Sequence, residues 1–179
     1  IRVVYTAPIK ALSNQKYKEF CADYGEKKVG LMTGDIVKNP EAPILIMTTE
    51  IYRNMAIIRD PILETVSYVV FDEIHYINDI ERGTVWEESV IFSPENIRFL
   101  CLSATIPNAK EFAHWIETIK HHPVEVVQNT KRAVPLTHKV FEAEAGLCSI
   151  HELVKHAEND DIPDYKHIKG RQKQRKMFP

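Results

Sequence analysis

The chain has 179 residues and a mass of 20.7 kDa, one domain of ordinary size. A chain this long can bury about 70% of its unfolded surface. Apolar residues at 44% and charged residues at 27% exclude a disordered, collagen-like or coiled-coil chain. Lys and Arg number 23 against 25 Asp and Glu, a net charge of −2, so any contact with nucleic acid must come from local patches.

In chain order, continuous apolar runs alternate with helical stripes. Val3–Thr6 reads as a strand, and Tyr17, Phe20, Cys21 and Tyr24 form one face of the helix that follows. Lys28–Met32 and Ile44–Thr48 read as the next strands, with a short stripe at Ile51, Met55 and Ile58 after the second. Tyr68–Asp72 and Phe99–Ser103 follow. Asn108, with Glu111 three residues on, suggests a capped start to a helix whose stripe is Phe112, Trp115, Ile116 and Ile119. Val124–Gln128 reads as a last strand. Continuous rather than alternating strands imply burial on both faces. The expected fold is therefore α/β, an open, mostly parallel sheet with helices on both faces.

From Thr130 the rhythm fails, which divides the chain into a domain at 1–130 and an exit segment at 131–179. Lys166, Lys169, Arg171, Lys173, Arg175 and Lys176 carry six cations without an acid among them. That composition predicts a solvated tail, or an arm that meets an RNA backbone or a partner. No run approaches the ~20 apolar residues a membrane span requires. Ile1–Val4 has no export pattern, and Cys21, Cys101 and Cys148 are too scattered for metal or disulfide spacing. These features predict an intracellular protein, cytoplasmic or nuclear, without a membrane partner.

Ligands of open α/β sheets bind beyond the carboxyl ends of the strands. Five such ends carry polar or small residues: Pro8-Ile9-Lys10, Thr33-Gly34-Asp35, Thr48-Thr49-Glu50, Asp72-Glu73-Ile74-His75 and Ser103-Ala104-Thr105. An apolar strand ending in two carboxylates can hold Mg²⁺ and a catalytic base, or can simply be a solvated turn.

The longer strings decide between these. Asp72-Glu73-Ile74-His75 resembles motif II of the DExH-box helicases, and Ser103-Ala104-Thr105 resembles their motif III. Pro8–Gln15 is similar to motif Ia, and Thr33–Asp35 with Met47–Glu50 to the segments around motif Ib. Phe71–Glu88 and Leu102–Ile116 narrow the resemblance to the superkiller-type RNA helicases that work with exosome-type decay machinery. Lys131–Leu136 resembles the linker that leaves their first RecA-like domain.

The resemblance implies an ATP-dependent RNA helicase with ATP and Mg²⁺ as cofactors. Asp72, with Glu73 beside it, would form the metal end, and Glu73 would activate the attacking water. His75, Ser103 and Thr105 would relay the nucleotide state. Pro8, Lys10, Ala11, Gly34, Asp35, Thr48, Thr49 and Glu50 would lie along RNA. Arg53 reads equally as a further RNA contact or as a solvated helix face.

No Gly-x-x-x-x-Gly-Lys-Ser/Thr loop occurs, since Gly25 and Gly30 are followed by Leu31-Met32. The expectation is a RecA-like sheet incomplete at its N-terminus, which needs a second RecA-like domain and hydrolyses no ATP alone. The alternative is an RNA-binding or scaffold module that keeps the shape without catalysis. Rival chemistries lack residues. His151 and His156 point about 140° apart on a helix and cannot share a metal. No Gly-x-Ser-x-Gly elbow is present either.

Overall fold

A computed structural model describes residues 1–79, 82–104, 106, 108–129, 131, 134–142 and 146–158. Thr105 and the basic segment 166–176 lie outside the described residues. The chain forms two compact units, 1–127 and 128–179.

In the first unit the strands are β1 (Arg2–Ala7), β2 (Val29–Met32), β3 (Val37–Lys38), β4 (Ile44–Thr48), β5 (Val66–Phe71) and β6 (Arg98–Cys101). The helices are α1 (Lys10–Tyr24), α2 (Thr49–Ile57), α3 (Thr84–Phe92) and α4 (Ala109–Lys120). The sheet order is β3-β2-β4-β1-β5-β6, parallel throughout except for the antiparallel edge strand β3. The expected mostly parallel α/β sheet is what forms.

The central strands are apolar on both faces because both faces are covered. On one side Val4, Leu45, Met47, Val69 and Phe71 pack with Tyr52, Met55, Trp86, Val90 and Ile116 from α2, α3 and α4. On the other, Tyr5, Val29, Leu31 and Ile46 meet Leu12, Tyr17, Phe20 and Cys21 of α1. That cover reaches Val70 of β5 but leaves Tyr68, Leu100 and Leu102 51%, 53% and 39% exposed.

Two expectations are corrected. Val124–Gln128 is not a strand. Pro123 has no N–H to give a ladder, and the Val124 N–H donates to Glu117 Oε1 at 2.8 Å instead. Asn108 precedes α4, but its side chain makes no capping bond. Its Nδ2 reaches Glu111 Oε2 at 3.5 Å, which draws the amide away from the helix N–H groups.

Helix α3 was not anticipated, because Val85, Trp86, Val90, Ile91 and Phe92 surround it with apolar residues and leave no stripe. The second unit holds an antiparallel pair, β7 (Val140–Glu142) and β8 (Gly146–Cys148), followed by α5 (Ile150–Glu158). Ser149 and Glu152 exchange bonds at the start of α5, a capping box. No described helix is long and apolar enough to cross a membrane.

Candidate functional site

Parallel register brings the strand ends to one edge: Thr6 lies beside Met47 and Phe71, and Phe71 beside Cys101. Asp72 is the first residue beyond β5, and its N–H continues the ladder to Thr6 O at 3.0 Å. The Asp72 carboxylate has two neutral donors. The Tyr5 phenol bonds Oδ2, and the Glu73 N–H donates to Oδ1 at 3.0 Å. Burial, then the bond to Asp72, pushes the Tyr5 phenol far above its ordinary ionisation range, so it stays a donor.

Glu73 adopts left-handed backbone angles, φ 52° and ψ 41°. For a residue with a Cβ this costs roughly 1–2 kcal/mol. Strain of this kind collects where geometry serves chemistry. His75 Nδ1 lies 3.2 Å from Glu73 Oε2, without the alignment of a hydrogen bond.

Beyond β6, the Leu102 N–H donates to Phe71 O and Leu102 O accepts the Ile74 N–H, both at 2.9 Å. The backbone before Ser103 is thus sewn to the Asp72–Ile74 turn, and Ser103 itself is exposed.

The other expected residues divide by what they touch. Lys10, the first residue of α1, pairs with Asp35 beyond β2, and both are exposed. That ammonium, with the Thr33 hydroxyl, holds the Asp35 carboxyl below the ordinary carboxylate range. Gly34 and Ala11 are exposed beside them, and Pro8 is buried. Ile9 before α1 offers no side-chain cap to the first N–H groups of the helix.

At α2, Thr48 accepts the Ile51 N–H at 3.4 Å, while Thr49 is fully buried and donates to Ala7 O at 3.3 Å. The Thr49 hydroxyl therefore ties β1 to α2 and does not reach solvent. Glu50 pairs with Arg82. Arg53 is not a free solvated cation: its Nη1 meets Glu88 Oε2 of α3 at 2.9 Å.

Two residues of this edge were missed from sequence, Tyr5 and Arg82. A lone phenol within β1, two residues before the strand's carboxyl end, was the available signal for Tyr5. For Arg82 it was a cation next to Gly83, in a loop where Gly implies close backbone approach.

The chemistry fits a hard divalent cation. Mg²⁺ typically takes one or two carboxylates, several waters and the phosphates of its substrate. Asp72 supplies a half-buried carboxylate, and both of its donors among the described residues, the Tyr5 phenol and the Glu73 N–H, are uncharged. Among the described residues no group of three or more His, Cys, Asp or Glu forms a complete cage.

An open, mostly parallel sheet with a carboxylate pair at one strand end and helix N-termini beside it is an α/β fold of the class that takes ligands beyond its strand ends. A model of the DEAD/DEAH box helicases matches residues 1–112, and the chain belongs to that family. It is 51% identical over 158 residues to the ATP-dependent RNA helicase mtr4 of Schizosaccharomyces pombe, covering 88% of this chain and 14% of that protein. It is 50% identical over 140 residues to the human Superkiller complex protein 2, covering 78% of this chain and 11% of that protein. These relatives bear out the superkiller-type resemblance, and the chain spans about one seventh or less of their length.

Among solved structures, Saccharomyces cerevisiae dbp5 superposes with a TM-score of 0.53 at 17% identity, over 64% of this chain and 32% of that one. The Mycobacterium smegmatis helicase Lhr, bound to ssDNA and AMP-PNP, gives 0.51 at 24% identity over 63% of this chain and 18% of that one. At these identities the likeness speaks for the RecA-like fold alone.

Proposed function

We propose that this chain carries the Asp72-Glu73-Ile74-His75 part of an ATP-dependent RNA helicase motor that acts in RNA processing or decay. The observation that carries the reading is Glu73, held in a strained left-handed turn beside a carboxylate buttressed by neutral donors. A scaffold that only kept the shape would have no reason to retain that strain, so the catalytic reading is favoured over the scaffold one.

In this reading Asp72 would hold Mg²⁺ through water, and the metal would offset charge on the ATP phosphates. Glu73 orients the attacking water and takes its proton at the carboxylate. His75, 3.2 Å from Glu73, senses that carboxylate, and Ser103 follows through the Leu102 backbone bonds. RNA runs along the N-termini of α1 and α2, where N–H groups and Lys10 meet phosphates without reading bases.

A phosphate-cradling loop and a second RecA-like domain of the same protein would complete the motor, and exosome-type machinery is the partner suggested by the name of a human relative 50% identical over 161 residues, Exosome RNA helicase MTR4. The three cysteines are free, in keeping with a cytoplasmic or nuclear protein.

The test is Glu73→Gln in the full-length protein. It should lower RNA-stimulated ATP hydrolysis at least about a thousandfold while Mg-ATP still binds, because the base is lost and the Asp72 carboxylate is not. Near-normal turnover in that variant would remove Glu73 from the role.

A further inference from the structure

Arg82 stands in the loop between the Asp72–Glu73 turn and α3. Its Nη2 donates to Pro8 O at 2.5 Å and pairs with Glu50 Oε1. These partners lie 74 and 32 residues away in sequence, at the end of β1 and in the first turn of α2. One guanidinium therefore fastens the loop after the carboxylates to both segments expected to meet RNA.

The loop is shaped to deliver it. The Arg82 N–H donates to Asp79 Oδ1 at 3.0 Å, and the Gly83 N–H donates to Asp79 O at 2.8 Å. A Cβ on Gly83 would sit 2.2 Å from Ile77 O and 2.7 Å from Asp79 O, so only glycine allows this approach.

Both side chains of the Arg82–Glu50 pair are 35% exposed, and a pair that open adds little to stability. Its consequence is electrostatic. Glu50 sits at the N-terminus of α2, where the positive end of the helix dipole and the N–H groups ahead of Ile51, whose own N–H Thr48 takes, attract an anion. An unpaired Glu50 would compete for those groups and repel a phosphate. We propose that Arg82 is a positioning residue of the RNA surface. It neutralises and holds Glu50 so that α2 stays open to a phosphate, and it fixes the Pro8 turn that leads into α1. The inference rests on the RNA-helicase reading above.

The experiment uses the full-length protein, ATP and a single-stranded poly(U) oligonucleotide. Arg82→Ala should raise the RNA concentration for half-maximal ATPase stimulation about tenfold, with kcat at saturating RNA within about threefold. Adding Glu50→Gln to that variant should bring the RNA requirement back to within about threefold of wild type, since the competing charge is gone. Arg82→Gln keeps a donor for Pro8 O but not the charge. It should show the same rise and the same rescue, which guards against a fold defect in the alanine variant.

An unchanged RNA requirement in both Arg82 variants overturns the inference. So does a double variant no better than the single, which would make Arg82 a plain structural prop or a direct RNA contact. Wild type without any RNA stimulation would overturn the helicase reading and this inference together, whereas failure of the Arg82 variants alone leaves that reading standing.

Discussion

Asp72 owes its setting to Tyr5, a side chain 67 residues away whose phenol bonds the carboxylate from the neighbouring strand. A hydrogen bond to a charged acceptor contributes about 1.5–3 kcal/mol, so Tyr5→Phe should lower unfolding free energy by that amount in urea at neutral pH. Burial of the phenol, together with this bond, sets a pH dependence. The phenol ionises near pH 10 in the unfolded chain and only well above that in the fold. Its stabilisation is complete below about pH 10 and is lost as pH rises toward the folded value. Urea midpoints should therefore decline less steeply above about pH 10 in Tyr5→Phe than in wild type. An identical decline would mean that Tyr5 does not serve Asp72 in solution. Cys101 behaves similarly for a simpler reason, burial alone pushing its thiol up to about 12, which also makes it a poor nucleophile.

Among the elements, β2 shows why a glycine inside a strand can be structural. Gly30 has the spacing that invites comparison with a phosphate loop, yet it lies within the ladder between β4 and the turn to β3. A Cβ there would meet Asn39 O at 2.3 Å and Leu45 Cδ2 at 2.7 Å. Because a backbone carbonyl cannot swing aside, Gly30→Ala should cost about 3 kcal/mol. A loss below about 1 kcal/mol in urea unfolding would show that β2 can shift. Elsewhere in this unit, the α3 C-terminus is held by a buried cation. Lys120 Nζ donates to Ser93 O at 2.6 Å and to Ile91 O at 3.2 Å, in keeping with the preference of helix C-termini for positive charge. Burial lowers the pKa of that ammonium, so the bonds are made at a desolvation cost.

For the 1–127 unit as a whole, the unequal cover of the sheet matters most. Helix α1 shields β1, β2 and β4, while Tyr68, Leu100 and Leu102 form an apolar strip beside the open edge of β6. An exposed apolar face next to unpaired backbone is an association site. The 179-residue chain, purified alone, should sediment as a concentration-dependent mixture of species. Leu100→Lys with Leu102→Lys should shift that mixture toward monomer. A single monomeric species for wild type across micromolar concentrations would show that the strip does not drive association.

Strands β1, β2, β4, β5 and β6, the stripes of α1, α2 and α4, and the polar character of the five strand ends were legible in the sequence, because each depends on the local period of apolar and polar residues, whereas the two- and three-residue strands β3, β7 and β8 are too short to show one. Parallel pairing followed from the continuous burial those runs imply. Val124–Gln128 misled for the converse reason: an apolar run specifies a strand only where a neighbour accepts its N–H groups, and Glu117 takes the first of them. The partners of the site were not legible. Tyr5 with Asp72, Lys10 with Asp35, and Arg82 with Glu50 and Pro8 meet only because the order β2-β4-β1-β5-β6 sets distant strand ends side by side. Local pattern decides which residues end each strand, whereas the crossovers of the folded chain decide which of those ends become neighbours.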